Sequence, residues 1–138
     1  SEYIENIKDI QIESCSNVKD MKDKDLFTKA LEYNCHFSVR KEDTDDFKYK
    51  PNAKLAFASG MCANIILSRD CSNMELLDER YPYYTDSDLA SVIKTAAFAR
   101  SSYGTKTWNE ALEMIKDVRK DLSLNRISQL YLQFLGQF

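Results

Sequence analysis

Residues 53–67, AKLAFASGMCANIIL, form the most apolar stretch of this 138-residue chain. Their large apolar side chains cover more than one side of a helix, and small residues occupy most of the remaining positions. A helix that is apolar nearly all round belongs in the middle of a bundle. The stretch therefore predicts a central helix at about 53–67, in which Gly60 allows a neighbouring helix to approach closely.

Amphipathic patterns predict further helices around this centre. The clearest one starts near Trp108 and carries Ala111, Leu112, Ile115, Val118 and Leu122 on one side. A last helix is predicted to bury a stripe formed by Ile127, Leu130, Tyr131, Phe134 and Leu135. The sequence thus predicts an all-α fold: one compact bundle of six or seven helices over residues 1–138, with 1–24 as a loosely docked arm.

Residues 36–50 depart from the helical period. Phe37 and Val39 alternate with polar residues, a charged segment follows, and Phe47 and Tyr49 alternate with lysines. Such alternation is typical of a small β-hairpin, although no Asn-Gly or Asp-Gly turn is present. An irregular loop fits the segment equally well.

Charge and hydropathy narrow the class of protein. The net charge is −3, which argues against a protein that binds nucleic acid over its whole surface. Residues 94–138 nevertheless carry seven Lys or Arg against four Asp or Glu, a local net charge of +3. No apolar run approaches the roughly 18–20 residues that a membrane-spanning helix needs. We expect an intracellular, cytoplasmic protein without membrane contact.

The sequence contains few features that indicate a catalytic, metal-binding or cofactor-binding site. The four cysteines (Cys15, Cys35, Cys62 and Cys71) lack C-x-x-C spacing, so we expect reduced thiols and no structural metal. His36, the single histidine, adjoins Cys35, and adjacent side chains point apart. The acidic loop from Asp43 lacks the glycine and glutamate of a calcium-binding loop. The sequence predicts no enzyme, no metal and no cofactor.

Two groups of residues suit binding. Tyrosines before and after a predicted helix could contact a protein partner; they are Tyr81, Tyr83, Tyr84 and Tyr103. Basic residues of the last third could form a face for single-stranded nucleic acid; they are Lys94, Arg100, Lys106, Arg119, Lys120 and Arg126. The alternative for the tyrosines is that they fold back over the bundle. The alternative for the basic residues is an ordinary solvated helix surface.

Two family resemblances accompany these patterns. A small-residue helix running to Tyr103-Gly104, followed by a Trp-led amphipathic helix, resembles the central part of viral Bcl-2-like proteins. That resemblance implies a helical inhibitor that binds a host helix in a groove, but the Trp-Gly-Arg core of the motif is missing. Residues 103–138 resemble the last helices of some segmented negative-strand virus nucleoproteins in residue type alone. Neither resemblance assigns a family.

The predicted function is therefore a non-catalytic protein–protein interaction module, self-associating or bound to another protein. A domain that binds single-stranded nucleic acid through its basic and aromatic C-terminal face is the first alternative, and the viral Bcl-2-like inhibitor is the second.

Overall fold

A computed structural model describes residues 23–40 and 52–137 of the chain. In this part the chain forms six helices and three strands. In chain order they are α1 (Asp23–Ala30), β1 (Cys35–Ser38), α2 (Ala53–Met61), β2 (Asn64–Ser68), α3 (Cys71–Leu76), β3 (Tyr84–Thr85), α4 (Leu89–Ser101), α5 (Lys106–Asp121) and α6 (Leu124–Leu135).

The three strands form one parallel sheet in the order β1-β2-β3. Cys35 pairs with Asn64 at one end of β1, and Leu67 of β2 pairs with Tyr84 of β3. Parallel strands need crossover connections, and α2 and α3 lie within the two connections of this sheet. The prediction of an all-α bundle is therefore wrong: the fold is mixed α/β. The sheet is also at odds with the helical fold that a resemblance to viral Bcl-2-like proteins implies.

The error arises within residues 53–67, which divide into a helix and a strand. Helix α2 ends at Met61 because Cys62 adopts the left-handed conformation, with φ 54°. The amide of Ala63 then bonds the Ala58 carbonyl at 3.1 Å, the arrangement that closes many helices. The apolar run that follows is too short for periodicity to separate a buried helix from a buried strand, and its β-branched Ile65 and Ile66 favour the strand.

Three further predictions concern Gly60, the hairpin at 36–50 and the N-terminal arm. Gly60 allows no close approach, because nothing lies within 4 Å of the position its Cβ would take. The strand predicted from residue 36 exists as β1, but it pairs in parallel with β2. The proposed second arm of the hairpin, at 47–50, lies outside the described residues, as do residues 1–22 of the predicted N-terminal arm.

The core surrounds β2, which is buried on both faces as the middle strand of a parallel sheet. Helices α2 and α5 pack against each other and against β2, while α4 packs on β2 and β3. Most of the buried apolar side chains form one cluster, which consists of Leu55, Ala58, Ile65, Ile66, Leu67, Leu77, Tyr81, Tyr83, Tyr84, Ala96, Ala99, Trp108, Ala111, Ile115 and Val118. Helix α6 contributes nothing to it.

Candidate interaction surface

Residues that precede and follow helix α6 cap its two ends. Ser123 precedes it, and its hydroxyl accepts a hydrogen bond from the Arg126 amide at 3.3 Å. This satisfies one of the free amides of the first turn, which is the usual role of an N-cap serine. Gly136 ends the helix, with its amide directed to the Leu132 carbonyl at 3.0 Å. Only two residues separate α6 from α5.

The large apolar side chains of α6 are exposed. Every residue of the helix lies on the surface of the described part, and its large apolar residues are between 46% and 83% exposed. Six of them share one side of the helix at a spacing of three and four residues. We call this set the α6 apolar face; it consists of Leu124, Ile127, Leu130, Tyr131, Phe134 and Leu135.

This exposure contradicts the prediction that the last helix buries its apolar stripe in a bundle. Helix α6 packs mainly on α5, through which it joins the domain, and Leu122 is the last side chain packed against the core. Spacing correctly identified the residues of the stripe. It did not reveal that the described domain offers no surface to cover them, because periodicity reports which side is apolar and not what lies opposite.

The opposite side of α6 is mostly polar and almost uncharged, with one exposed apolar residue, Leu132. Arg126 is the one charged residue between Leu124 and Leu135. Asn125, Gln129 and Gln133 provide the remaining polar surface. The helix therefore offers few ion pairs, and apolar contact is the main interaction available to it.

Three of the four predicted binding tyrosines are buried in the core. The ring of Tyr81 meets those of Tyr83 and Tyr84 edge-on, with centroids 5.5 and 5.7 Å apart. Each hydroxyl has a partner: that of Tyr83 lies 2.7 Å from the Ser102 hydroxyl, and that of Tyr84 donates to the Leu77 carbonyl at 2.8 Å. Burial raises the pKa of all three phenols. A surface role does not fit side chains in this position.

The hydroxyl of Tyr81 completes the hydrogen bonding of β2. It accepts from the Ile65 amide at 2.9 Å and lies 3.1 Å from the Ile65 carbonyl oxygen, to which it can donate. Strand β3 spans two residues and pairs with Leu67 and Ser68, so it does not reach Ile65. The phenol therefore occupies the place that a longer β3 would take, and this explains a tyrosine in a buried apolar cluster.

Tyr103, the fourth predicted tyrosine, is exposed. Its ring lies edge-on to Trp108 with centroids 5.1 Å apart. It stands next to Gly104, whose φ of 74° carries the chain from α4 to α5. Tyr103 is exposed whereas the other three tyrosines are buried, so the four side chains do not form one surface.

The six predicted basic residues are all exposed, and half of them have partners in the same domain. Lys106 pairs with Glu110 at 3.5 Å, and Lys120 pairs with Asp117 at 2.6 Å. Arg119 donates to the Cys62 sulfur at 2.8 Å. Lys106 and Arg119 also lie near opposite ends of α5, roughly 20 Å apart along the helix axis. A nucleic-acid face of Lys94, Arg100, Lys106, Arg119, Lys120 and Arg126 stays a prediction.

A buried polar cluster lies at the carboxyl ends of β1 and β2, where α/β sheets often bind ligands. Asp70 caps α3 by accepting from the Asn73 amide at 2.9 Å, and it also accepts from the Asn73 side chain at 2.9 Å. Arg40 lies 3.6 Å from the same carboxylate, and the Asn52 amide group bonds that of Asn73. These polar groups bond one another, so the cluster joins the starts of α2 and α3 to the sheet.

Cys35 and His36 have pKa values that do not favour a thiolate–imidazolium pair. Burial raises the pKa of the Cys35 thiol to about 12, and burial also lowers the pKa of the His36 imidazole. The imidazole lies edge-on to Phe57, with ring centroids 5.7 Å apart. Both shifts favour the neutral form of each group.

The comparisons with known proteins add no family: no family model, curated protein or solved structure matches the chain. In the described ranges, 23–40 and 52–137, no helix is both long and apolar enough to cross a membrane. The same residues contain no cluster of three or more His, Cys, Asp or Glu side chains that could hold a metal ion. Cys35, Cys62 and Cys71 carry free thiols, and Cys15 lies outside the described residues.

Proposed function

We propose that this protein is a non-catalytic interaction module that binds a protein partner through the α6 apolar face. The observation that carries the proposal is the exposure of six large apolar side chains on one side of a 12-residue helix. Isolated helices of this length are marginal in water, and their stability usually comes from packing of the apolar side. A partner that covers this face would supply that packing.

The size of the face supports a binding role. From typical side-chain areas, its exposed part amounts to roughly 600 Å², which is at the upper end of the largest patch on a typical monomer. Single apolar residues on a surface are normal, but the largest contiguous patch on a monomer is often functional. An amphipathic helix with anchors three and four residues apart also matches a common mode of recognition, in which a helix lies in an apolar groove.

The remainder of the domain supports a scaffold role. Polar side chains at the carboxyl ends of β1 and β2 bond one another, as Asp70 and Asn73 do. The Cys35 thiol is held protonated by burial. The proposal therefore assigns no chemical step to the chain, and it includes an intracellular setting in which the thiols stay reduced.

Site-specific photo-crosslinking in cells tests the proposal. A benzophenone amino acid replaces Tyr131 on the apolar face, and the matched control places it at Gln133 on the polar side of the same helix. We expect irradiation to join position 131 to a second polypeptide chain, with little product from position 133. Equal products from both positions, no product, or links only to residues of the same molecule would contradict the proposed function.

A further inference from the structure

We infer that the partner of the α6 apolar face is a second copy of this chain, so that two α6 helices pair along their apolar faces across a twofold axis. This inference rests on the proposed function and names its partner. In a twofold dimer both subunits contribute the same patch, which must be complementary to itself. Three properties of α6 meet that requirement.

The first property is spacing. Leu124, Ile127, Tyr131 and Phe134 follow each other at intervals of three, four and three residues. This is the alternation by which two helices keep one line of contact along their length, with each side chain inserted between those of the partner. Leu130 and Leu135 lie beside that line and widen the apolar contact.

The second property is charge. Residues at the margins of the contact line, such as Ser128, Leu130 and Leu135, are uncharged. Arg126 lies on the far side of the helix, so two copies can meet without bringing like charges together. A neutral apolar face is compatible with a second copy of itself, and the α6 helix of a second molecule provides one of identical length.

The third property is area. If each copy buries its roughly 600 Å², the pair buries roughly 1,200 Å² in total, the lower limit for specific and stable protein–protein interfaces. With the whole of both faces covered, the pair reaches that limit from α6 alone. An interface at this limit predicts a reversible dimer whose population depends on protein concentration.

The mass of the purified protein in solution, measured by sedimentation over a wide concentration range, tests the inference. We expect the wild-type mass to rise toward twice 16.0 kDa with concentration. The variant Ile127→Glu/Tyr131→Glu, which puts two charges into the contact line, should remain a monomer throughout. Gln129→Glu/Gln133→Glu is the matched control, because it adds the same charges at the same spacing on the polar side and should still dimerise.

Circular dichroism at low concentration tests whether the variants are folded. Both variants change exposed residues and should retain the wild-type spectrum. A wild-type protein that stays monomeric at all concentrations would overturn the inference, as would a dimer that Ile127→Glu/Tyr131→Glu leaves intact. In the crosslinking experiment, a product between position 131 and a different protein would overturn the second copy as partner while the proposed function stands. Absence of any intermolecular product would overturn both.

Discussion

Strand β2 and helix α6 are both rich in large apolar residues, yet four of the five residues of β2 are buried and every residue of α6 is exposed. Ile65, Ile66 and Leu67 are buried among the two neighbouring strands and the helices α2, α4 and α5 that pack on β2. The apolar face of α6 is covered by none of the described elements. Apolar content is therefore a poor guide to burial, because burial depends on which elements lie opposite.

The two regions also differ in how their polar atoms are used. Around β2 the hydroxyls of buried tyrosines bond the strand and its neighbours, which fixes the position of each side chain. On the α6 apolar face the one polar atom is the exposed Tyr131 hydroxyl. The first arrangement is typical of a unique core, and the second leaves a surface that can accept a partner.

The largest effect that separates the two regions is expected from removing one aromatic side chain in each. Trp108 is 6% exposed and packs between Tyr83 and Tyr103, so Trp108→Ala should lower the free energy of unfolding by about 3–5 kcal/mol. Tyr131 is 61% exposed, so Tyr131→Ala should change it by less than about 0.5 kcal/mol. Denaturant unfolding at a concentration where the protein is monomeric measures both. Similar losses in the two variants would mean that α6 belongs to the core.

Much of the helical part was predictable from the sequence, but the sheet was not. The amphipathic stripe with Trp108, Ile115 and Val118 is buried in α5 as its spacing predicts. In 53–67 a buried helix and a buried parallel strand produce the same signal, a run of apolar residues without alternation. The point of division, Cys62, carries no glycine to mark it.

The sequence predicts which residues form the α6 apolar face, but not whether that face is buried or exposed. The spacing of Ile127, Leu130 and Phe134 defines the α6 apolar face, yet burial or exposure of such a stripe depends on distant residues. Tyr81 and its neighbours were ambiguous for a related reason, since a tyrosine suits both a surface and a core in which its hydroxyl finds a partner. The partner of Tyr81 is the backbone of β2, an element that the helical interpretation did not contain.

The second-largest expected effect is that of removing the Tyr81 hydroxyl, which completes the hydrogen bonding of β2. Tyr81→Phe removes the hydroxyl that accepts from the Ile65 amide and leaves that amide buried without a partner. We expect the free energy of unfolding to fall by about 1–3 kcal/mol. Tyr103→Phe is the control, because its exposed hydroxyl can be replaced by water at almost no cost. Equal stability of the two variants would show that the Ile65 amide does not depend on Tyr81.

The smallest effect concerns the residue at which α2 gives way to β2. Cys62 has a φ of 54°, a conformation that costs an ordinary side chain roughly 1 kcal/mol and glycine almost nothing. Cys62→Gly should therefore raise the free energy of unfolding by about 0.5–1 kcal/mol, since the Arg119 contact that it removes lies on the exposed surface. Cys62→Ala loses the same contact but keeps the side-chain strain, so it should not exceed the wild type. Equal losses of stability in both variants would contradict this prediction. They would mean that the thiol contact with Arg119 stabilises the junction between α2 and β2 more than the backbone strain destabilises it. The sheet region would then depend on that contact as well as on burial.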